Sequence, residues 1–280
     1  MDNLYYSKDA TLRDHFVGDI LKLLDRGSLN DVKIKLCDGE IFANKDILVA
    51  RSEYFAAMLS KNKFEEGETS SVDLSHCSKA IMEKIVRFLF SGWFNFHGLS
   101  LTQLLDLSHL SEMMLLTDFK FAVDDFIIDH QLPHSADDSL PELILGLKLA
   151  DQYRRLAVRK CIIDELRHGL QNITEDVKCS DSFKTLPFNL IREIYKKEEN
   201  IVHTSHYRYS NRCNNHGFEA FSVWLSENEV TEEQKAEIAE SFDFEEFTVE
   251  ELLTFVRDSG LYSVTKIDKR VLYLYKKLKH

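Results

Sequence analysis

Prolines are scarce, three in 280 residues, and glycines number only ten, so few positions force a helix to stop. The five cysteines (Cys37, Cys77, Cys161, Cys179 and Cys213) are odd in number and contain no C-x-x-C spacing. The first residues lack the basic start and apolar core of a secretory signal, so the sequence predicts a reduced, cytoplasmic setting, with a nuclear one as a secondary addition. Long apolar runs are missing too. FAVDDFII (121–128) is broken by charge well short of the about 20 residues a membrane span needs, which predicts that the chain does not cross a membrane. Positive charge is in deficit, with a formal net charge of −12, and this argues against nucleic acid or an anionic lipid surface as the main partner. No G-x-S-x-G, G-x-x-x-x-G-K-[ST], H-E-x-x-H or Gly-rich nucleotide loop occurs, so neither a catalytic role nor a cofactor is expected.

Hydrophobic residues make up 44% and charged residues 29% of the chain, an ordinary globular composition whose length suits two modest domains. Residues 11–24 place Leu12, Phe16, Ile20, Leu23 and Leu24 at helical spacing, with Thr11 as a candidate N-cap. DVKIKLC (31–37) alternates Val32, Ile34 and Leu36 with polar residues. Asp38-Gly39 and EIFAN (40–44) complete a predicted β-hairpin. A helical pattern over 45–60 breaks near Arg51-Ser52, a short strand follows at 71–75, and a helix over 78–92 ends on Gly92. Beyond Gly92 the pattern is almost wholly helical. Leu132-Pro133-His134-Ser135-Ala136 is the predicted boundary between domains 1–132 and 133–280. The fold class is α+β in the first domain and all-α in the second.

Several spaced anchors in the first 130 residues resemble a BTB/POZ domain. They are Asp31-Val32 behind a leading helix, Phe42-Ala43-Asn44-Lys45 with Ile47-Leu48, Ser52-x-Tyr54-Phe55-x-x-Met58-Leu59, and Phe88-Leu89-Phe90-Ser91-Gly92. The helix pair Leu104–Leu115 and Phe119–Ile128 completes the pattern. Asn44 departs from it, because the family usually has His there. The second half resembles the helical BACK domain through 147–166, Leu186-Pro187-x-x-Leu190-Ile191, FEAFSVWL (218–225) with Trp224, and 250–263, while 201–217 is longer than that pattern.

The resemblance implies a homodimer whose leading helix packs on the partner chain, with Leu12, Phe16, Ile20 and the charged pair Asp31 and Lys45 at the interface. The competing reading is a helix folded back on its own domain. The resemblance further implies binding of Cullin-3 through an apolar-x-Glu pattern, here Ile81-Met82-Glu83, against which stands a core Ile81 and a solvated Glu83. The implied function is a substrate adaptor of a Cullin-3 RING ubiquitin ligase, with an unidentified client protein. The alternative is a non-ligase scaffold in transcriptional repression or signalling-complex assembly.

His203, His206, Cys213 and His216 form the one spacing that zinc could bind, against the plainer reading of a polar loop. Charge is uneven along the second half: eleven acidic residues lie between Glu227 and Glu251 against Lys235 alone, and the closing helix from Lys266 is basic. Such runs are usually solvated helix faces, and the functional reading is a surface that recruits a charged protein.

Overall fold

A computed structural model describes residues 10–27, 30–60, 66, 69–131, 140–169, 181–196, 216–242 and 244–278. The chain divides into two compact units, Met1–Gln131 and Leu132–His280.

The first unit opens with helix α1 (Ala10–Arg26). Because Ala10 is already helical, Thr11 lies inside the helix and is not its N-cap. Strands β1 (Val32–Leu36) and β2 (Gly39–Ala43) pair antiparallel with Ile34 opposite Ile41, and the two-residue turn is Cys37-Asp38, one position before the expected Asp38-Gly39, because Gly39 already pairs with Leu36. β3 (Ser71–Leu74) pairs parallel to β1, giving the order β2-β1-β3. Val32, Ile34 and Leu36 face the core, as period-2 alternation requires.

The break expected near Arg51-Ser52 is a shared cap. Helix α2 (Lys45–Arg51) ends at Ser52 and helix α3 (Glu53–Met58) starts from it. The Ser52 hydroxyl accepts the Phe55 amide at 3.4 Å and donates to the Met114 carbonyl at 2.8 Å. Asn44, the departure from the family pattern, caps α2 by accepting the Ile47 amide at 3.1 Å.

Helix α4 (Lys79–Ser91) ends on Gly92, whose φ of 69° is left-handed, and its amide returns to the Phe88 carbonyl at 2.7 Å. A Cβ on Gly92 would sit 3.2 Å from the Arg51 guanidinium. Ser78 precedes α4 without capping it. The cap comes instead from the hairpin turn, where the Asp38 carboxylate accepts the Lys79 amide at 2.6 Å. Helices α5 (Leu101–Met113) and α6 (Thr117–Phe126) pack as a pair, and a π-helical segment, Ile127–Gln131, follows.

The second unit is helical throughout its described residues. Helices α7 (Leu140–Gln152) and α8 (Leu156–Gly169) form an adjacent pair. They are followed by α9 (Asp181–Lys184), α10 (Phe188–Tyr195), α11 (His216–Glu227) and α12 (Glu232–Ala239). A short helical stretch with a π-helical centre at Leu252–Val256 leads to the last helix, α13 (Val264–Leu278). The core here is aromatic: Phe218, Phe221, Phe242 and Phe247 pack with ring centroids 4.7–6.5 Å apart, and Trp224 lies 5.9 Å from Phe221. The Trp224 indole donates to the Leu186 carbonyl at 2.9 Å.

Candidate interaction surface

Helix α1 carries two apolar stripes because 3.6 residues per turn place positions seven apart on one line. Val17 and Leu24 form the inner stripe and are buried against the unit, where α1 packs on α4. The Asp25 carboxylate pins that contact by accepting from Arg87 of α4 at 2.8 Å. Phe16 and Leu23 form the outer stripe and are 64% and 39% exposed, while Ile20 lies between the two and is half-buried. The fold-back and partner-facing readings of α1 thus describe different faces of one helix. Leu12 belongs to α1, but its side chain lies outside the described residues.

Asp31 and Lys45 do come together, although not as two side-chain charges. The Asp31 carboxylate accepts the backbone amide of Lys45 at 2.7 Å, the first residue of α2. This is helix-terminus chemistry, in which a carboxylate satisfies an otherwise orphaned N–H. The edge strand β2 presents Phe42, 50% exposed, with the Lys33 ammonium 5.9 Å from its ring and paired with Glu40. Between the end of α1, β2 and α4 runs a groove of about 530 Å³ whose apolar lining is Leu24, Ile41, Phe42 and Val86, with Glu83 and Arg87 also lining it.

The expectation that Ile81 projects toward a partner needs correction. Ile81 is 3% exposed and shares the inward stripe of α4 with Met82, Ile85, Val86 and Leu89. A side chain in that stripe is committed to its own core and is not free to fill another protein's pocket. Glu83 is exposed, 3.8 Å from Lys79 one turn earlier. The periodicity of α4 already contained this outcome, since Ile81 is four residues before Ile85 and eight before Leu89.

The potential zinc ligands His203, His206 and Cys213 lie outside the described residues. His216 begins α11, with its side chain likewise outside them. Among the described residues, no group of three or more His, Cys, Asp or Glu is placed to hold a metal ion. Cys77 is buried, and burial pushes its thiol up to about 11, so it stays protonated at neutral pH and is a poor nucleophile. Among the described residues, no helix is long and apolar enough to cross a membrane.

The strongest electrostatic assembly lies in the second unit and has a structural role. The Arg159 guanidinium donates two parallel bonds to Glu193 at 2.7 and 2.8 Å and a third to Asp151 at 2.8 Å. It ties α8 to α10 and to the end of α7. Hydrogen bonding and charge from Arg159 hold the Glu193 carboxyl below its ordinary value.

Comparison with known proteins gives a family match within the first unit and relatives whose similarity extends over 78% of the chain. The sequence model of the BTB/POZ domain matches residues 20–130. Kelch repeat and BTB domain-containing protein 2 of cowpox virus (strain GRI-90 / Grishak) is 25% identical over 223 residues, covering 78% of this chain and 35% of that protein. The chain therefore spans about a third of the length of that relative. Human Rho-related BTB domain-containing protein 1 is 35% identical over 72 residues, covering 26% of this chain and 10% of that protein. Among solved structures, the BTB (Tramtrack and Bric a brac) domain of human Gigaxonin aligns with 23% identity and a TM-score of 0.34, covering 45% of this chain and 99% of that one. With the match over 20–130 falling on the unit that holds the three-stranded sheet and helices α1–α6, the first half of the chain contains a BTB/POZ domain, a protein–protein interaction module.

Proposed function

We propose that the chain is a homodimeric, non-catalytic adaptor that brings client proteins to a Cullin-3 RING ubiquitin ligase in the cytoplasm or nucleus, with the BTB/POZ domain followed by a BACK-type helical domain. The observation that carries this reading is the outer stripe of α1, where Phe16 and Leu23 stand exposed on a helix already anchored by its other face. Two copies meeting through that stripe would bury both side chains, each contributing roughly 1.5–3 kcal/mol. A closed twofold pairing also presents two client sites per assembly, which raises avidity without new contacts. The adaptor's part in ubiquitin transfer is proximity and orientation, and the bond chemistry belongs to the ligase. With Ile81 in the core, Glu83 on the groove wall is the residue of the expected cullin pattern that remains available to a partner.

The test has two stages. Light scattering on the purified chain should give twice the monomer mass, and Phe16→Glu with Leu23→Glu should weaken the pairing about a hundredfold or more. A titration with the Cullin-3 N-terminal domain should then saturate, and Glu83→Arg should weaken it. A dimer that shows no saturable cullin binding would leave the scaffold function in place of the ligase one.

A further inference from the structure

Helix α13 is docked over its first half and open over its second. Ile267 is fully buried, and the Lys266 ammonium lies 4.3 Å from the Phe244 ring and 4.8 Å from that of Tyr262. Asp268 accepts from Arg257 at 2.7 Å and Arg270 pairs with Glu245 at 2.6 Å. Beyond Arg270 the side chains of Leu272, Tyr273 and Tyr275 are more than half exposed, and Lys276 and Lys277 are exposed with them. Helical spacing puts Ile267, Val271 and Leu274 on the stripe that turns toward the unit, while Leu272 and Tyr275 share a neighbouring face with Lys269 and Lys276. That neighbouring face is exposed along its length. Over its 15 residues α13 has five basic side chains and one acidic one.

A cover for this face needs an apolar floor and a negative rim. The same unit has such a surface: a groove of about 570 Å³ lined by Val223, Leu225 and Val230, with Glu229 and Asp258 on its wall. Lys235, also on the wall, is paired with Glu232 at 2.8 Å. Of its lining residues, Asn228, Glu229, Val230 and Lys235 fall in the 25-residue window that has eleven acidic residues against that one lysine.

We propose that this exposed face of α13 docks in the groove of a second copy of the chain, head to tail, with Leu272 and Tyr275 over the apolar floor and Lys269 and Lys276 against Glu229 and Asp258. The alternative symmetric contact, α13 against α13, sets two strongly basic helices side by side, and like charge juxtaposed across an interface costs several kcal/mol. Charge complementarity thus selects the unlike pairing. The contact is independent of the α1 stripe and is polar in its addressing, so association is salt-sensitive, screened beyond a Debye length of about 10 Å at 0.1 M salt. A helix face of two turns is smaller than the roughly 800 Å² per partner of a stable interface, so one such contact is weak. An unlike pairing of this kind leaves a free helix at one end and a free groove at the other, and it extends with concentration.

Sedimentation velocity on the full chain tests this directly. At low salt the weight-average sedimentation coefficient should climb with concentration above its high-salt value. Lys269→Glu with Lys276→Glu, and separately Glu229→Lys with Asp258→Lys, should each weaken that association about tenfold. All four positions are exposed, so these changes leave the core untouched. An equimolar mixture of the two variants should restore association, because each negative helix then meets a positive groove and each positive helix a negative one. Absence of concentration dependence at low salt overturns the proposal, as does failure of the mixture to recover. Sedimentation of the native chain with phosphatidylserine vesicles, lost in Lys269→Glu/Lys276→Glu without any self-association, would assign the helix to lipid and overturn it as well.

Discussion

The two units solve the same packing problem with different side chains. The core of the first around the sheet is mainly aliphatic, with Val32, Ile34, Leu48, Val72, Ile85, Leu104 and Leu107 all buried, its rings Phe88, Phe94, Phe96, Phe119 and Phe126 gather to one side, and its helices are aimed by short hydrogen bonds from turns and caps. Asp38, Ser52 and Asn44 each hold a helix start through one oxygen. The second unit gathers its helices around large rings and fastens α8 to α7 and α10 through Arg159, with Arg167 adding bonds to the Glu193 and Ile194 carbonyls of α10. Aliphatic side chains on a sheet interlock through many small contacts, so the loss of one is partly absorbed by neighbours. A ring cluster concentrates the same area in fewer residues. The second unit should therefore be the more sensitive to a single truncation.

The largest expected effect follows from that difference. Phe221 touches Tyr195, Phe218, Trp224 and Phe242 with ring centroids 5.5–6.0 Å apart. Phe221→Ala should cost about 3–5 kcal/mol, against about 2–5 kcal/mol for Leu104→Ala in the first unit. The two tryptophans, one in each unit, allow the changes to be read separately: Trp224 is 2% exposed and Trp93 is 43% exposed. In a Trp93→Phe background, urea titration followed by Trp224 emission reports the second unit alone. Equal costs at the two sites would mean that ring packing confers no special sensitivity.

An intermediate effect is expected at Arg159. Arg159→Met removes bidentate, charge-assisted bonds to a partly buried carboxylate and should cost about 1.5–3 kcal/mol at neutral pH. The same variant changes the pH profile. Glu193 has its folded pKa depressed below the ordinary 4.5, so the stability it contributes is present above that unfolded value and is lost as pH falls through the folded one. Urea midpoints of the native chain should thus drop as the pH is lowered from about 5, and Arg159→Met should flatten that limb. A variant profile parallel to the native one would show that the acid sensitivity of the unit arises elsewhere.

Much of the first unit was legible in the sequence because its signals are local. The hairpin between alternating strands, Gly92 after a periodic helix and the interruption at Ser52 each depend on a few adjacent residues, although the hairpin turn falls at Cys37-Asp38, one position before Asp38-Gly39. What periodicity could not supply was the partner of each face. α1 reads as one amphipathic helix, yet Val17 and Leu24 face inward while Phe16 and Leu23 face out, a separation that depends on α4, some sixty residues later. Asp38 looks like a turn residue and is also the cap of α4, again across a long sequence separation. Ile81 was assigned outward by resemblance although its own helical register places it inward. In the second unit the helices were readable, but the π-helical segment at Leu252–Val256 has no compositional signature and appears only once the packing is known.

The smallest effect is the most direct comparison between the units, because both contain the same corner. Between α5 and α6, Leu115 sits at φ 57° and the Leu116 amide returns to the Ser111 carbonyl at 2.8 Å. Between α7 and α8, Arg154 sits at φ 56° and the Arg155 amide returns to the Ala150 carbonyl at 2.8 Å. Each is the C-terminal closure that glycine usually occupies, here made by a residue with a Cβ at a cost of roughly 1–2 kcal/mol. Replacing either by glycine removes that strain but adds backbone freedom to the unfolded chain worth about 0.5–1 kcal/mol, so a net gain of about 0.5 kcal/mol is expected at each corner. Both side chains are exposed, and neither substitution leaves a cavity. If backbone strain alone sets the balance, Leu115→Gly and Arg154→Gly should raise the urea midpoints of their own units by similar amounts. A loss at one corner and a gain at the other would show that the side chain there makes a stabilising contact in solution, and would separate two corners that share one backbone geometry.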